Sequence, residues 1–176
     1  MARTINCPIP ENVNPLSPVG YMFSIERLPE LSYFCQEVNL PAVSTTAVEV
    51  ATPMARVSLP GETLDYSPLT VQFIIDAKMT NFKAIFNWLR SMTFAEDNQD
   101  YINFTNNSLV SGSELNKMSS DAMLTILDNN NNAIANVKFE GCIPVSLESL
   151  MFTSNVDDVQ YLIGSASFSY TLYKFV

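Results

Sequence analysis

The sequence predicts a mainly β protein with a single domain, a β-sandwich or open β-barrel that carries one packed α-helix. Three observations lead to this class. Several short stretches alternate in side-chain character with the two-residue period of strands, turn residues separate them, and one convincing stretch has a helical period. With 176 residues, 47% of them hydrophobic, the chain has enough apolar surface to bury one core. We expect that domain to span residues 20–176.

The beginning of the chain differs in composition from the rest. Residues 1–19 contain four prolines and show little periodicity, which is typical of an extended arm without a helix or sheet of its own. Directly afterwards Tyr21, Phe23 and Ile25 occupy every second position, and this alternation predicts the first strand.

Two Leu-Pro pairs, with their prolines at Pro29 and Pro41, bracket the apolar segment that follows. Proline lacks an amide hydrogen and biases the residue before it towards extended geometry, so a helix through either point is disfavoured. We therefore expect a short connecting piece between two strands. Its Leu31, Phe34 and Val38 are expected to pack inward, and Pro41 to start the next strand.

The next two strands are predicted over residues 43–51 and 55–60, where side chains of different character alternate. Residues 52–53 and the pair Pro60-Gly61 have the composition of turns. Each strand is therefore expected to end at a turn.

A strand over residues 69–76 is the clearest in the sequence, and the predicted helix over 80–92 follows it at once. Four apolar residues of that helix have the i, i+3, i+4, i+7 spacing of a single buried stripe. This predicted stripe consists of Phe82, Ile85, Phe86 and Leu89.

Other residues of the predicted helix have more specific expectations. Thr80 or Asn81 is expected to cap its amino end, because both side chains accept hydrogen bonds from the first amides of a helix. Trp88 and Met92 flank the stripe and would contact either the domain's own core or another subunit. Packing in the core is the favoured interpretation, since aromatic residues on a helix are most often core residues.

The second half of the chain combines a long excursion with further strands. Residues 93–119 lack a clear period, and loops of that length are usually functional or disordered. The tetrad Asn129–Asn132 has good hairpin chemistry between two strand-like stretches, because asparagine tolerates positive φ. The closing strand is predicted from the alternation of Phe168, Tyr170 and Leu172.

The residue inventory argues against catalysis. Histidine is absent, which removes the commonest general base and the commonest metal ligand. The three cysteines, Cys7, Cys35 and Cys142, have no Cys-x-x-Cys spacing and are expected to be buried reduced thiols, with Cys35 a packing residue. No glycine-rich phosphate loop or nucleophile elbow is present. We predict no enzyme activity, no metal, no cofactor and no small-molecule substrate.

Charge and hydropathy exclude further classes. Eighteen acidic residues against nine lysines and arginines give a net charge of -9, so binding to nucleic acid by charge is not expected. No stretch resembles a signal peptide or approaches the ~20 apolar residues of a membrane span, which predicts a soluble intracellular product without membrane contact. Two acidic groups, expected to be solvated and not to bind calcium, are Glu96, Asp97 and Asp100, and the pair Asp157 and Asp158.

The order of these features resembles one protein family. The pieces are FSIE in the first strand, FCQEVNLPAV, the turn at Pro60-Gly61, LTVQFIID followed at once by NFKAIFNWL, and the closing pieces VKFEGCIPVSLESLMF and ASFSYTLYKF. Together they resemble the tail tube proteins of contractile-tailed bacteriophages over residues 20–176. The resemblance implies a tail-tube-like, β-barrel-like domain that assembles into hexameric rings. The rings stack into a hollow conduit for DNA delivery inside a contractile sheath.

The resemblance also implies partners, a location and candidate residues. The partners would be further copies of the chain, the tail sheath and the baseplate, while genomic DNA would pass through without specific binding. The protein would be assembled in the host cytoplasm and end in the virion tail. The channel lining would come from about residues 44–59 and 121–140. The implied lumen-facing positions are Thr45, Glu49, Arg56, Ser58, Thr125, Asn136, Lys138 and Glu140.

Two features of the sequence agree with a conduit. An acidic protein with small polar strand faces lets DNA slide, because it lacks a basic stripe that would hold phosphates. Open sheet edges, a hazard in a monomer, would close a barrel across subunits. The alternatives within the same superfamily are the baseplate ring protein that initiates the tube and the secretion-system tube subunit. An alternative of a different class is a small-ligand-binding β-barrel, which needs a closed apolar interior.

Overall fold

The computed structural model describes residues 15–51, 53–93, 101–102, 118–155 and 160–176. The described residues form nine strands and two helices. In chain order these are β1 (Tyr21–Ile25), α1 (Pro29–Phe34), β2 (Cys35–Val38), β3 (Val43–Ala51), β4 (Arg56–Tyr66), β5 (Leu69–Ile74), α2 (Thr80–Thr93), β6 (Ser120–Leu127), β7 (Ala133–Leu147), β8 (Ile163–Ser169) and β9 (Leu172–Phe175).

Several of the expectations above concern residues outside these ranges. They are the first 14 residues of the arm, most of the excursion 93–119, and the side chains of Cys7, Glu96, Asp97, Asp100, Asp157 and Asp158. They remain predictions.

Seven strands form one antiparallel sheet. Six of them follow the order β1-β6-β7-β8-β5-β2, and the seventh, β9, pairs with β7. The 15 residues of β7 pair with different strands along their length. The first half of β7 pairs with β6 and β9, and the second half, after Gly141, pairs with β8. Gly141 has a φ of 69°, a left-handed conformation that glycine adopts without strain. One continuous strand therefore joins two parts of the sheet.

Both parts of the sheet contribute to one hydrophobic core. From the strands, the core residues are Phe23, Ile25, Leu69, Val71, Phe73, Ala122, Leu124, Val137, Phe139, Cys142, Ala166 and Phe168. In β5 every second side chain is buried, which confirms the strand predicted over 69–76, although it ends at Ile74. The antiparallel, strand-rich architecture with one long packed helix confirms the predicted mainly β class.

The helix α2 lies where the sequence predicts it, but a different row of side chains faces the core. Ile85 and Trp88 are buried, whereas Phe86 is 50% exposed, so the predicted inclusion of Phe86 in the buried stripe is wrong. Phe82 and Leu89 pack at the margin of the core. The indole Nε1 of Trp88 donates a hydrogen bond to the carbonyl oxygen of Met118 at 3.0 Å. That bond and the burial of Trp88 are incompatible with a helix turned towards Phe86, and they confirm Trp88 as a core residue.

At the amino end of α2, two side chains accept hydrogen bonds from the first amides of the helix. Asp76 Oδ1 accepts hydrogen bonds from the amides of Thr80 at 2.6 Å and Asn81 at 3.4 Å. The side chain of Asn81 is buried; its Oδ1 accepts from the amide of Phe82 at 2.8 Å, and its Nδ2 donates to the carbonyl oxygen of Ile74 at 2.7 Å. The expectation that Asn81 accepts from the first amides of the helix is confirmed, and Asp76 is a second cap whose carboxylate suits the positive end of the helix dipole.

The segment between the two Leu-Pro pairs is a short connection, as expected, made of α1 and β2. Leu31 is buried and Val38 packs against the core. Phe34 is only half-buried, and its ring packs edge-on against Tyr33 with 5.0 Å between centroids. Pro41 is buried but precedes the next strand, β3, which begins at Val43.

The predicted closing strand is two strands. β8 ends at Ser169 and β9 begins at Leu172, and the amide of Thr171 in the break donates to the carbonyl oxygen of Glu140 at 3.0 Å. The chain breaks here because β8 pairs with the second half of β7 and β9 with the first half, so it has to pass the bend at Gly141.

No helix in the described part of the chain is long and apolar enough to span a bilayer.

Candidate assembly surfaces

The hairpin of β3 and β4 forms a two-stranded sheet of its own, separate from the seven-stranded sheet. All of β3 is exposed, and so is all of β4 except the half-buried Gly61. An isolated two-stranded hairpin is at best marginally stable in water. A hairpin of this length with both faces exposed is therefore a surface that another molecule would complete.

One face of the hairpin is polar and contains three of the residues proposed for the lumen. Glu49 lies opposite Ser58, and Ala51 lies opposite Arg56, so these side chains share a face. Arg56 Nη1 and Glu49 Oε2 are 3.4 Å apart. Both side chains are well exposed, so this ion pair contributes little to stability.

The other face of the hairpin is apolar. Val48 lies opposite Leu59, and Val50 lies opposite Val57. Each of these four side chains is between 43% and 56% exposed. We call this set the hairpin apolar face. Contiguous exposed apolar side chains of this kind are typical of protein–protein contact surfaces.

The predicted turn at Pro60-Gly61 is wrong, because β4 continues through it to Tyr66. Thr45 pairs with Leu64 and Ala47 with Pro60, so residues 61–63 of β4 lie opposite Thr46 alone and form a bulge. A Cβ atom on Gly61 would lie 2.1 Å from the carbonyl oxygen of Thr46, so only glycine fits there.

The bulge also decides where Thr45 lies. Thr45 Oγ1 donates to the carbonyl oxygen of Thr63 at 3.0 Å, on the side of the bulge nearer the domain. Thr45 is therefore separated along the hairpin from Glu49, Arg56 and Ser58.

The remaining lumen candidates lie together on the outer face of β6 and β7. Thr125 is opposite Asn136, and Lys138 lies two residues further along β7, followed by Glu140. The intervening residues Val137 and Phe139 are fully buried, so these candidates share the face that points away from the core. The structure brings the four side chains into one surface, and their role in a channel remains a prediction.

The charges on this face are paired. Lys138 Nζ is 2.8 Å from Asp121 Oδ2, and Lys174 Nζ is 3.2 Å from Glu140 Oε1. The hydrogen bond and charge of Asp121 raise the pKa of Lys138. Partial desolvation raises the pKa of Asp121, but the hydrogen bonds from Lys138 and the amide of Gly141 outweigh it, so its pKa lies below the ordinary value. A surface on which these lysines are neutralised has little attraction for phosphates.

Sequence reasoning missed part of both surfaces. Lys174 belongs to the outer face because β9 pairs with β7, which places Lys174 opposite Lys138. The alternation of the closing residues indicated two faces, but only the pairing shows that one of them continues the β6–β7 surface. On the hairpin, Val48 and Val50 alternate with polar neighbours, and only the pairing of β3 with β4 shows that they join Val57 and Leu59 in one exposed apolar face.

The described residues contain no group of three or more histidine, cysteine or acidic side chains able to hold a metal ion. Burial raises the pKa of Cys35 to about 11 and that of Cys142 to about 12, so both stay protonated thiols at neutral pH. The grooves among the described residues include one of 770 Å³ beside β1 and β2 and one of 790 Å³ between α2 and the end of β7. Both are open to solvent, unlike the closed apolar interior that a ligand-binding barrel needs.

Comparison of the sequence with known proteins gives consistent matches. A profile of the family described as phage tail tube protein matches residues 4–176. The chain is also similar to the tail tube terminator protein of Enterobacteria phage T4, with 23% identity over 168 residues, which cover 92% of this chain and 89% of the relative.

Solved structures with a similar fold come from related assemblies. The cap that terminates the tube of the anti-feeding prophage has a TM-score of 0.63 at 10% identity, covering 98% of both chains. The sheath/tube terminator of the extracellular contractile injection system PVC has a TM-score of 0.62 at 14% identity, covering 92% of this chain and 96% of the other. The sheath–tube complex of the same system has a TM-score of 0.58 at 14% identity, covering 92% and 91%.

Proposed function

Because the chain belongs to the phage tail tube protein family, we propose that it forms the ring that terminates the tube of a contractile phage tail. One observation carries this proposal: the sequence similarity to a tail tube terminator protein extends over 92% of the chain. The terminators were not among the related rings considered from the sequence. They become the first candidate, ahead of the repeating tube subunit.

The repeating tube subunit remains the second candidate, since the family profile describes tail tube proteins as a whole. The two functions make different demands on the surface. A repeating subunit binds an identical ring on both axial sides, whereas a terminator binds the last tube ring on one side only. The baseplate initiator ranks below both, because the sequence relative is a terminator and the likeness to a baseplate structure is one of fold alone. The two open grooves are unlike the closed interior of a ligand-binding barrel.

In both candidates a ring, which we propose to be hexameric, is built by surfaces that a single copy leaves incomplete. The hairpin apolar face is exposed, and β1 and β2 end the sheet with unpaired outer edges in the described part of the chain. Unpaired edges and apolar faces are hazards in a monomer and become contacts in a closed ring. We propose that neighbouring copies cover them.

The outer face of β6 and β7, together with the polar face of the hairpin, would then line the channel. Its lysines are paired with acids, and the whole chain has a net charge of -9. DNA passing such a wall meets no cluster of free cations that would hold it. The partners proposed with this function are the tail tube, the sheath and, for the second candidate, the baseplate.

Electron microscopy of the purified protein, combined with its copy number in purified virions, tests the proposal. We expect rings, and a copy number equal to that of a single ring in each tail. A copy number of many rings in each tail would favour the repeating subunit over the terminator. A protein that stays monomeric at high concentration even when tail tubes are supplied would contradict both candidates.

A further inference from the structure

The hairpin of β3 and β4 leaves the domain through two legs whose carbonyl oxygens are both held by tyrosines. Tyr173 Oη donates to the carbonyl oxygen of Pro41, before β3, at 3.4 Å. Tyr170 Oη donates to the carbonyl oxygen of Ser67, after β4, at 2.9 Å. The amide of Ser67 also donates across the legs to the carbonyl oxygen of Ala42 at 3.0 Å. Each leg is thus tied to the same short part of the chain, since Tyr170 lies in the break between β8 and β9 and Tyr173 near the start of β9.

The two tyrosines connect the hairpin to the core through a series of ring contacts. Phe139 is fully buried, and its ring centroid lies 5.2 Å from that of Tyr170 and 5.6 Å from that of Tyr173. On their other side both tyrosines contact Tyr66, the last residue of β4, at 5.9 and 5.7 Å. We call Tyr66, Tyr170 and Tyr173 the tyrosine clamp. Through these ring contacts the clamp connects the buried Phe139 with the base of the hairpin.

A second connection fixes the two legs to each other. Asn39 Oδ1 accepts from the amide of Thr70 at 2.7 Å, and its Nδ2 donates to the carbonyl oxygen of Pro68 at 3.2 Å. This connection sets the spacing of the legs but leaves open the angle at which the hairpin leaves the domain. The clamp adds the ring contacts that relate the base of the hairpin, at Tyr66, to the buried Phe139.

The ring contacts of the clamp do not depend on its hydroxyl groups. Phenylalanine would keep the ring contacts, so the distinctive contribution of each tyrosine is one hydrogen bond to a backbone carbonyl. Burial, and next the neighbouring Tyr173 and Tyr66, raise the pKa of Tyr170 to about 12, so its hydroxyl remains a donor across the neutral range. A bond to backbone fixes the position of the leg whatever side chains the hairpin carries.

We propose that the hydroxyls of Tyr170 and Tyr173 fix the direction in which the β3–β4 hairpin projects, and that ring assembly depends on this direction. The part of this inference that concerns ring assembly rests on the proposed function, since the direction of the hairpin matters to assembly only if copies of the chain assemble. The part that concerns the direction itself applies to the isolated chain and is tested separately. Both tyrosines are positioning residues, because they act on a partner surface only through the hairpin.

The direction of the hairpin is measured on the monomer with two spin labels. Met54→Cys places one label near the hairpin tip, where Met54 is almost fully exposed, and Asn87→Cys places the other on the exposed side of α2. Cys7→Ser removes a thiol outside the described residues, Cys35→Ser removes a half-buried thiol, and the burial of Cys142 slows its labelling. In the unaltered clamp we expect a narrow distribution of distances between the labels.

The test variant is Tyr170→Phe combined with Tyr173→Phe, and the matched control is Tyr33→Phe combined with Tyr161→Phe, whose tyrosines are largely exposed. We expect the test variant to broaden the distance distribution while the thermal midpoint changes little, and the control to change neither. A distribution equal to that of the unaltered protein would overturn the inference. The single variant Tyr170→Phe should broaden the distance distribution more than Tyr173→Phe, because the hydrogen bond of Tyr170 is the shorter one.

Assembly is then compared between the same proteins. We expect the concentration at half-assembly to rise by about tenfold in the double variant, because a hairpin that samples several directions loses conformational entropy when a ring fixes it in one. A broadened distribution with unchanged assembly would overturn the dependence of assembly on direction. If a charge placed on the hairpin apolar face also left assembly unchanged, the proposed role of the hairpin would fail, while the distance measurement would still decide the role of the clamp.

Discussion

Asp121 connects the two strands that carry the proposed channel surface. Its carboxylate accepts hydrogen bonds from Lys138 and from the amide of Gly141, at the point where β7 bends. Its pKa is therefore lower in the folded chain than in the unfolded chain. A group with a lowered folded pKa contributes stability above the unfolded pKa, and that stability is lost as the pH falls through the folded value.

We expect Asp121→Asn to lower the free energy of unfolding at pH 7 by about 1 kcal/mol, the scale of a partly exposed pair with one further hydrogen bond. The difference from the unaltered protein should shrink as the pH falls below about 4, where the carboxylate becomes protonated in the unfolded chain. Denaturant unfolding at several pH values measures both effects. Asp65→Asn, a change at an exposed carboxylate, is the control, and a loss from Asp121→Asn that is independent of pH would contradict the account.

Leu31 and Phe34 of α1 have unequal roles, although the sequence suggests that both pack inward. Leu31 is fully buried in the core, whereas Phe34 is half-buried and packs against Tyr33. We expect Leu31→Ala to lower the free energy of unfolding by about 3 kcal/mol and Phe34→Ala by about 1 kcal/mol. Denaturant unfolding of the two variants gives the comparison. A larger loss from Phe34→Ala would show that the segment is placed incorrectly.

At the scale of elements, the β3–β4 hairpin offers a comparison within one strand. Val57 and Ser58 are neighbours on β4 whose side chains lie on opposite faces, one apolar and one polar. We expect Val57→Asp to prevent ring formation, because it places a charge where a neighbouring copy would bury valine. Ser58→Asp adds the same charge to the polar face and should leave rings intact.

Electron microscopy and sedimentation of the two hairpin variants measure the effect. Circular dichroism should show both variants folded, because neither side chain belongs to the domain core. Rings formed equally well by both variants would exclude the hairpin apolar face as a contact surface.

The position of each helix and strand along the chain is easier to predict from the sequence than its rotation and its pairing partners. The helix α2 could be placed because its period is strong, but its rotation could not, because Phe86 and Trp88 are both apolar. The hydrogen bond from Trp88 to Met118, 30 residues away, turns Trp88 inward. Pro60-Gly61 has a typical turn composition, and only pairing with β3 shows that it forms a bulge. The break between β8 and β9 likewise depends on the bend of a distant strand.

The candidate site was predictable to a similar extent. The resemblance to tail tube proteins implies Thr125, Asn136, Lys138 and Glu140 as lumen-facing positions, and the structure places their side chains on one surface. These side chains share a surface because they alternate with buried residues along two paired strands, and this alternation is visible in the sequence. The pairing partner β9, with Lys174, depends on a contact across the sheet that the sequence does not record.

At the scale of the whole molecule, a net charge of -9 would make the copies in the proposed ring repel one another. If the contacts between copies are mainly apolar, salt should favour assembly, because the screening length falls from about 10 Å at 0.1 M to about 3 Å at 1 M. We expect more rings at high than at low ionic strength, measured by sedimentation at constant protein concentration. Rings that dissociate as salt is added would show that ion pairs between copies dominate the contact.

The bend of β7 at Gly141 has a mechanical consequence for a tail that contracts. Force applied to the β6 and β9 side of the domain reaches the β8 side along the covalent backbone of β7, and not only through hydrogen bonds between strands. Hydrogen bonds at a sheet edge yield long before a peptide bond does. Under load the domain should therefore lose an edge strand such as β1 or β9 first, and the two parts joined by β7 should separate last.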